Sequence, residues 1–316
     1  MQENLRLFFL FKNRTKKSSI MVKAWLSAFR LRTLPLALAS IAMGSFLAAA
    51  INQMQWKIFL LSALTTIFLQ ILSNLANDYG DSIHGADSVE RKGPQRAVQA
   101  GIISPTSMYR AMIIFSILSL ISGLWLLYEA VDSWETFGLF LGIGLLAIFA
   151  SITYTAGSHP YGYIGLGDIS VLIFFGWVAV LGTFYLHTRF IDWWVLLPAT
   201  SCGLFATAVL NVNNIRDIDS DKKAGKNTLP VRMGKTNAVK YHWFLLITGI
   251  LCSLVYVNFH FKNSFQLLFL LVLPLLFINA KAVYQKNEPA ELDPYLKQMA
   301  LTTLIFVITF GIGQVI

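Results

Sequence analysis

The sequence predicts an all-α, polytopic membrane protein with nine transmembrane helices. Hydrophobic residues make up 56% of its 316 residues, whereas only 13% are charged. A soluble domain of this length could not bury so much apolar surface. Nine apolar runs are long enough to span a bilayer, and most charged residues lie between them. Because irregular backbone cannot face lipid, each run is expected to be helical.

The apolar runs follow one another at short intervals along the chain. They cover about residues 34–51, 57–77, 108–128, 134–156, 165–187, 192–213, 241–259, 264–284 and 298–316. Long polar insertions, 78–107 and 214–240, follow the second and sixth runs, and we expect functional loops there. Residues 1–20 are basic and form either a dispensable extension or a mis-assigned start, ahead of a single membrane domain at 21–316.

The distribution of basic residues predicts the orientation of the helices. With the amino terminus in the cytoplasm, 22 of the 25 Lys and Arg residues lie on the cytoplasmic side, and only Lys57, Arg189 and Lys262 lie outside. This is the usual bias of membrane proteins. It predicts a multi-pass protein of the cell (inner) membrane with both polar insertions in the cytoplasm. Topology and contact with anionic membrane lipid then explain the net charge of +9, so no nucleic-acid partner is expected.

Two related motifs stand at the ends of the second and sixth runs. The first motif contains Asn74, Asp78 and Asp81, and the second contains Asp217 and Asp221. The motifs begin 139 residues apart, which suggests duplication of a four-helix unit followed by a ninth helix. Residues four apart share one face of a helix, so each motif presents a stripe of oxygen ligands. Carboxylates at the mouth of a membrane helix are costly and need a partner or a function.

The chemistry of these motifs suits Mg²⁺ and a diphosphate. Mg²⁺ is bound by a few carboxylates together with phosphate oxygens and water. Basic residues follow both motifs and would neutralise the remaining phosphate charge. They are Arg91, Lys92 and Arg96 after the first motif, and Lys222, Lys223, Lys226 and Arg232 after the second. A single motif would be explained by helix caps at the interface, but two at equivalent helix ends favour a shared site.

Other classes of site have little support in the sequence. It has neither a glycine-rich nucleotide loop nor a His/Cys cluster for a transition metal. Cys202 and Cys252 both lie inside apolar runs, where they fit small core residues.

The residues around both motifs resemble those of the UbiA-type membrane prenyltransferases. The resemblance extends from about Met21 to the carboxyl terminus and rests on these strings: Arg30-Leu-Arg-Thr33-Leu-Pro35, Asn74-Leu-Ala-Asn-Asp78-Tyr-Gly-Asp81, Gly85-Ala-Asp87, Arg91-Lys-Gly-Pro94-Gln-Arg96, Tyr154-Thr155, Pro160-Tyr-Gly162-Tyr, Gly165-Leu-Gly167-Asp168, Asn214-Ile-Arg216-Asp217-Ile-Asp-Ser-Asp221 and Gly225-Lys-Asn-Thr228-Leu. The doubled aspartate motif is highly specific for this superfamily.

The resemblance implies a central cavity, open to lipid, in which Mg²⁺ holds a polyprenyl diphosphate. It assigns metal binding to Asn74, Asp78 and Asp81 on one side and to Asp217 and Asp221 on the other. Its candidates for diphosphate contacts are Arg96, Lys222 and Arg232, with Arg91 and Arg216 behind them. Many relatives have a Lys or Arg shortly after the position of Tyr154, where this chain offers only His159. The resemblance therefore leaves open which group neutralises the diphosphate on that side.

The flanking strings are most similar to the subfamily that prenylates 1,4-dihydroxy-2-naphthoate in menaquinone synthesis. The implied reaction replaces the ring carboxylate by the polyprenyl group, with loss of CO2 and diphosphate, and gives demethylmenaquinol. Tyr154 is expected to stabilise the allyl cation through its ring face. Asp168 is expected to orient the aromatic hydroxyl or to support the site from behind. Plain packing and helix capping are the simpler alternatives for these two residues, and Arg30 and Arg32 are expected to be topology anchors.

Two alternative functions remain open at the level of sequence. The acceptor could instead be 4-hydroxybenzoate, homogentisate or a porphyrin-like ring, because the motifs specify metal and diphosphate better than acceptor. An organic-anion transporter would also contain repeats and intramembrane charges. Transporters usually place those charges near the middle of the bilayer, whereas here they collect at one face.

Overall fold

The computed structural model describes residues 20–84 and 96–316. Within these ranges the chain has no strand, and nine helices are long and apolar enough to cross a membrane. They are α1 (Ile20–Ala49), α2 (Trp56–Ile83), α3 (Pro105–Ala130), α4 (Trp134–Thr153), α5 (Gly167–Thr188), α6 (Trp193–Arg216), α7 (Leu229–Phe259), α8 (Ser264–Gln285) and α9 (Pro289–Val315). The predicted all-α membrane fold is confirmed. Most of the predicted extension at 1–20, and Arg91, lie outside the described residues.

Several helices extend beyond the apolar runs that predict them. Helix α1 begins at Ile20 rather than 34, α7 at Leu229 rather than 241, and α9 at Pro289 rather than 298. Helix α2 continues to Ile83, so Asp78 and Asp81 lie on the helix and not in a polar loop. The reason is that hydropathy marks the lipid-facing part of a helix, whereas backbone hydrogen bonds continue through polar residues beyond it.

Two of the long helices are interrupted near the polar face. In α1, Arg30 adopts a left-handed conformation with φ 47° and ψ 53°, and a 3₁₀ turn at Leu31–Thr33 follows it. In α7, Gly234 has φ 76° and ψ 160°, so a short initial segment is set at an angle to the rest of the helix. Glycine tolerates such a conformation, whereas an arginine there is strained, which often accompanies a functional role.

One side of the molecule is packed more densely than the other. In α6, 72% of the most apolar stretch is buried, against 6% in α4. The dense side contains α1 and α5–α9 and is centred on four fully buried rings, Phe205, Phe269, Phe306 and Phe310. Because lipid tails are as apolar as these side chains, close packing rather than escape from water holds the helices together.

A central cavity of about 760 Å³ lies between the dense side and helices α2–α4. Residues of α1–α6 line it, and most of them are apolar. Asn74, Asn77 and Tyr154 line its polar end, where α2 carries the first motif. The apolar cavity therefore reaches the part of α2 that carries the first motif.

Candidate active site

The first motif lies within about the last three turns of α2. Asp78 and Asp81 are each only 2% exposed. Asn74 is also buried, and its Nδ2 donates to Phe29 O at 3.0 Å and to Thr33 Oγ1 at 3.1 Å. Its Oδ1 accepts from Gln70 Nε2 at 3.4 Å, and both residues line the cavity.

Asp78 is paired with two arginines that come from different parts of the chain. Arg30 donates a short hydrogen bond from Nη2 to Asp78 Oδ1. Arg96 Nε lies 3.6 Å from the same oxygen. Both cations therefore contact Oδ1. The left-handed turn at Arg30 thus directs a strained residue of α1 toward the first motif.

Asp81 is contacted by three side chains of the described residues. Arg96 pairs with its Oδ2 and also donates to Asn77 O at 3.0 Å. Lys226 Nζ lies 2.6 Å from Asp81 Oδ1. The hydroxyl of Tyr163 donates to that same Oδ1 at 2.6 Å. The second polar loop, which carries Lys226, therefore reaches the first motif directly.

Three cations thus converge on two buried carboxylates. Arg30, Arg96 and Lys226 have side chains that are 21%, 10% and 13% exposed. Removing charges from water costs several kcal/mol per ion unless each charge is paired. The cluster meets that condition and leaves a small excess of positive charge. Such a site suits a polyanion accompanied by a metal ion.

The α4–α5 connection, residues 154–166, is hydrogen-bonded to α2. Thr155 Oγ1 lies 3.0 Å from Ala76 O and 2.9 Å from Asn77 Oδ1. Gly80 permits the approach, since a Cβ on it would lie 2.3 Å from Thr155 O. The contact places Tyr154 beside the motif, where its ring meets that of Tyr161 edge-on at 5.3 Å between centroids.

Two tyrosines of this connection are held in the neutral form. Burial, and then the negative charge of Asp168, raises the pKa of Tyr154 well above its usual range. Burial, and then the charge of Asp81, does the same to the pKa of Tyr163. Tyr163 is therefore a fixed hydrogen-bond donor, and Tyr154 presents a neutral ring to the cavity.

Asp168 lies behind Tyr154 at the start of α5. It is 5% exposed, and its Oδ1 is buried without a hydrogen-bond partner among the described residues. Tyr241 of α7 lies next to it. A Cβ on the adjacent Gly167 would lie 2.7 Å from the Tyr154 hydroxyl. Asp168 is thus placed to act on Tyr154 rather than at the cavity surface.

The second motif stands at the junction of α6 and a short helix, Ile218–Lys223. Asp217 is 6% exposed and accepts two bonds from Arg216, at 2.8 Å from Nε and 2.6 Å from Nη2. Arg216 also donates to Asn213 Oδ1 at 2.9 Å and to Asp293 Oδ1 of α9 at 2.5 Å. Arg216 therefore links α6 to α9.

The loop after the second motif bends back toward α2. Asp221 O accepts from the backbone N–H of Lys226 at 2.8 Å, which closes the turn. The N–H of Asn227 donates to Tyr163 O at 2.8 Å. The two motifs are therefore joined through Lys226 and Tyr163.

The predicted diphosphate contacts lie in different environments. Arg96 is in the cluster, whereas Lys222 is exposed on the short helix. Arg232 is exposed and donates to two backbone carbonyls, Asn227 O at 3.0 Å and Ile164 O at 2.6 Å. Its hydrogen bonds fasten one loop to another.

Three residues in the site had no individual role predicted from sequence. Arg30 was expected to be a topology anchor, although its place in a resembling string was a signal. Lys226 was counted only among the basic residues that follow the second motif, and Tyr163 only within the Pro160-Tyr-Gly162-Tyr string. Pairing between distant segments placed them in the site, and no local pattern reveals that.

The donor set fits Mg²⁺ in chemistry. The acids of both motifs supply hard carboxylate oxygens, which Mg²⁺ prefers. In the described part of the chain no three His, Cys, Asp or Glu side chains converge as a ready-made metal cage. Mg²⁺ needs no such cage when substrate phosphates complete its coordination. Asp78, Asp81, Asp217 and Asp221 are the residues that would hold it, with Asn74 beside them.

Comparison with known proteins identifies the family. A model of the "UbiA prenyltransferase family" matches residues 37–306. The "1,4-dihydroxy-2-naphthoate octaprenyltransferase" of Escherichia coli (strain K12) is 45% identical over 304 residues, which cover 95% of this chain and 99% of that protein. The protein of the same name from Haemophilus influenzae is 46% identical over 297 residues, or 93% of this chain and 96% of its own length.

A solved structure has the same fold. The UbiA homolog from Archaeoglobus fulgidus bound to GPP and Mg²⁺ superposes with a TM-score of 0.66 at 16% identity, covering 92% of this chain and 99% of that chain. Sequence and fold agree, and this multi-pass membrane protein belongs to the UbiA prenyltransferase family.

Proposed function

We propose that the protein transfers a polyprenyl group from polyprenyl diphosphate to 1,4-dihydroxy-2-naphthoate, in the biosynthesis of menaquinone. The observation that carries the chemistry is the cluster of buried carboxylates and cations at the polar end of an apolar cavity of about 760 Å³. A diphosphate fits the cluster, and a polyprenyl tail fits the cavity. The high identity to proteins named for the naphthoate acceptor supports that choice over 4-hydroxybenzoate.

The residues of the cluster bind and orient the donor. Arg30, Arg96 and Lys226 hold the diphosphate, whose negative charge grows as the allylic C–O bond breaks and the electron pair stays on oxygen. When bound at the aspartates, Mg²⁺ supplies further positive charge for the same oxygens. Positioning and charge stabilisation together lower the barrier to ionisation.

The acceptor reacts at the junction between the cluster and the cavity. The ring carbon that bears the carboxylate bonds to the allylic carbon. The carboxylate then leaves as CO2, and the electron pair of its bond restores the aromatic ring. Tyr154 lines the cavity at this junction, and its neutral ring would face the allyl cation. Asp168, buried at the start of α5, would place its negative charge close to Tyr154. The apolar walls exclude water, which would otherwise capture the cation.

The proposed setting is the inner membrane, with the polar loops in the cytoplasm. The bias of 22 of 25 basic residues toward one side supports this orientation. Soluble naphthoate and Mg²⁺ would then reach the site from the cytoplasm, while the polyprenyl tail stays in the lipid.

An acceptor comparison tests the proposal. Purified protein in lipid is supplied with octaprenyl diphosphate, Mg²⁺ and radiolabelled 1,4-dihydroxy-2-naphthoate, and in parallel with 4-hydroxybenzoate. We expect lipophilic product and CO2 from the naphthoate alone, both lost on addition of EDTA. Product from 4-hydroxybenzoate alone would contradict the acceptor assignment. Product that survives EDTA would contradict the metal requirement.

A further inference from the structure

Gln70 places an amide group in the wall of the apolar cavity. It lies on α2 four residues before Asn74, on the same face of the helix, and both residues line the cavity. The side chain of Gln70 donates to Asn74 of its own helix, so this bond does not join α2 to a neighbouring helix. A polyprenyl tail has no polar atom for an amide to bind. The amide of Gln70 therefore suits a different ligand in the same cavity.

The hydrogen bonds of Asn74 determine which end of the Gln70 amide is free for that ligand. Asn74 Nδ2 donates to Phe29 O at 3.0 Å, and a carbonyl oxygen can only accept. The same Nδ2 donates to Thr33 Oγ1 at 3.1 Å, because the Thr33 hydroxyl gives its own proton to Arg30 O at 2.9 Å. Asn74 Oδ1 is thus the atom that accepts from Gln70 Nε2, at 3.4 Å. The nitrogen of the Gln70 amide is directed at Asn74, and its Oε1 is a hydrogen-bond acceptor for a donor in the cavity.

The proposed acceptor substrate carries one donor of the matching kind. In 1,4-dihydroxy-2-naphthoate the 1-hydroxyl lies beside the carboxylate and can donate to it within the molecule. The 4-hydroxyl has no such neighbour, so it needs a partner in the site. An amide oxygen covered by an apolar ligand would lose its hydrogen bonds to water without replacement, whereas a hydroxyl of the ligand replaces them.

The spacing along α2 fits a ring held between Gln70 and the charged cluster. Eight residues separate Gln70 from Asp78, which is a rise of about 12 Å. A ring that has one hydrogen bond from its carboxylate and another from its 4-hydroxyl spans a similar distance. The carboxylate would then face the cations that surround Asp78, and the 4-hydroxyl would face Gln70.

We infer that Gln70 is a specificity-determining residue for the acceptor, and that its Oε1 accepts a hydrogen bond from the 4-hydroxyl of 1,4-dihydroxy-2-naphthoate. The inference rests on the proposed function and names a residue that selects its substrate. In this orientation the ring carbon that bears the carboxylate faces the donor diphosphate. 4-Hydroxybenzoate held by the same two contacts would present its activated carbon, next to the hydroxyl, at the Gln70 end and away from the diphosphate.

A binding measurement tests this contact apart from turnover. Protein in nanodiscs is saturated with Mg²⁺ and geranyl S-thiolodiphosphate, whose C–S bond resists cleavage. It is then titrated without oxygen with 1,4-dihydroxy-2-naphthoate or with 1-hydroxy-2-naphthoate, which lacks the 4-hydroxyl. The wild type should bind the dihydroxy ligand about 10-fold more tightly, the effect of one hydrogen bond. Gln70→Leu should reduce this preference to less than about twofold.

Three further measurements separate the contact from a general effect on the protein. Thr66→Val is the matched control, because Thr66 lines the cavity four residues before Gln70 and valine keeps its shape, so the wild-type preference should remain. Gln70→Leu should leave the Kd of the thiolodiphosphate unchanged, and in turnover it should raise the KM for naphthoate alone. Gln70→Met, whose unbranched side chain fills the same space, repeats the test if Gln70→Leu does not fold.

Two results would overturn the inference. One is a Gln70→Leu protein that retains the wild-type preference for the dihydroxy ligand. The other is an equal loss of preference in Thr66→Val, which would show that the polarity of the whole wall, and not Gln70, selects the ligand. Wild-type protein that binds the thiolodiphosphate but neither naphthoate would refute the proposed acceptor itself. Wild-type protein that binds both naphthoates equally would refute the role of Gln70 alone.

Discussion

Gly80 lies so close to the carbonyl of Thr155 that a Cβ on residue 80 would be 2.3 Å from that oxygen and 2.8 Å from Ala156 N. Both neighbouring atoms belong to the backbone, so neither can rotate away. Gly80 also stands between Asp78 and Asp81 in α2. A single close contact therefore sets the position of the α4–α5 connection, and with it Tyr154, relative to the carboxylates.

Gly80→Ala should reduce both stability and activity. In an ordinary helix this change stabilises by up to about 1 kcal/mol. Here the new methyl group must push the two segments apart, at a cost of about 1–3 kcal/mol. Thermal unfolding in detergent and prenyl transfer measure the two effects. Gly138→Ala in α4 is the control, because nothing lies within 4 Å of its Cβ, and it should unfold no earlier than the wild type.

Asp78→Asn and Asp217→Asn should each lower turnover by about 100-fold or more, because each removes a charged oxygen ligand from the site. Both variants should elute as folded protein in gel filtration. Asp219→Asn changes an exposed acid between Asp217 and Asp221, which is not among the proposed metal ligands, and it should retain normal activity. Near-normal turnover in Asp78→Asn or Asp217→Asn would exclude that residue from metal binding.

The fold can be predicted from sequence because a chain in lipid must satisfy its backbone hydrogen bonds internally, which few structures do. Apolar length alone identified the nine membrane-spanning helices that lie in the described ranges, since a spanning segment must satisfy its backbone internally. Their polar ends were missed, as in α7, which begins at Leu229 rather than 241. Hydropathy gives no signal there, because these turns lie outside the apolar zone. The break in α1 at Arg30 was not predicted either. Arg30 pairs with Asp78 of another helix, and a local sequence pattern does not reveal such a pairing.

The arrangement of the first motif was predictable where its residues repeat a local pattern. Spacing by four residues predicts that Asn74 shares a helix face with Asp78, and Asn77 with Asp81, and the structure has all four on α2. It was not predictable where loops cross. Arg232 was expected at the diphosphate, but it donates to the carbonyl of Ile164, a residue 68 positions away. A basic side chain after a motif can bind substrate or fasten a loop, and only three-dimensional contacts distinguish the two.

Replacing Tyr154 should separate the role of its ring from that of its hydroxyl. Tyr154→Phe keeps the ring face toward the cavity, so it should retain most activity. Tyr154→Leu keeps an apolar side chain but removes the π face, and we expect about a 10-fold lower kcat. Single-turnover rates with saturating donor measure the effect. Equal rates in the two variants would show that Tyr154 serves packing alone.

Arg216 and Asp293 should contribute very unequally to stability, although they form one ion pair. Arg216 is 3% exposed and donates to both carboxylate oxygens of the buried Asp217, so Arg216→Met removes this pairing from a buried charge. That loss should cost about 3–5 kcal/mol of unfolding free energy. The Asp293 side chain is 34% exposed, so Asp293→Asn should cost only about 1 kcal/mol.

Thermal unfolding in detergent compares the two single variants, and the double variant Arg216→Met/Asp217→Asn serves as the control. It should recover part of the stability lost in Arg216→Met, because it also removes the buried negative charge that Arg216 binds. If it recovers nothing, Arg216 stabilises the protein chiefly by linking α6 to α9.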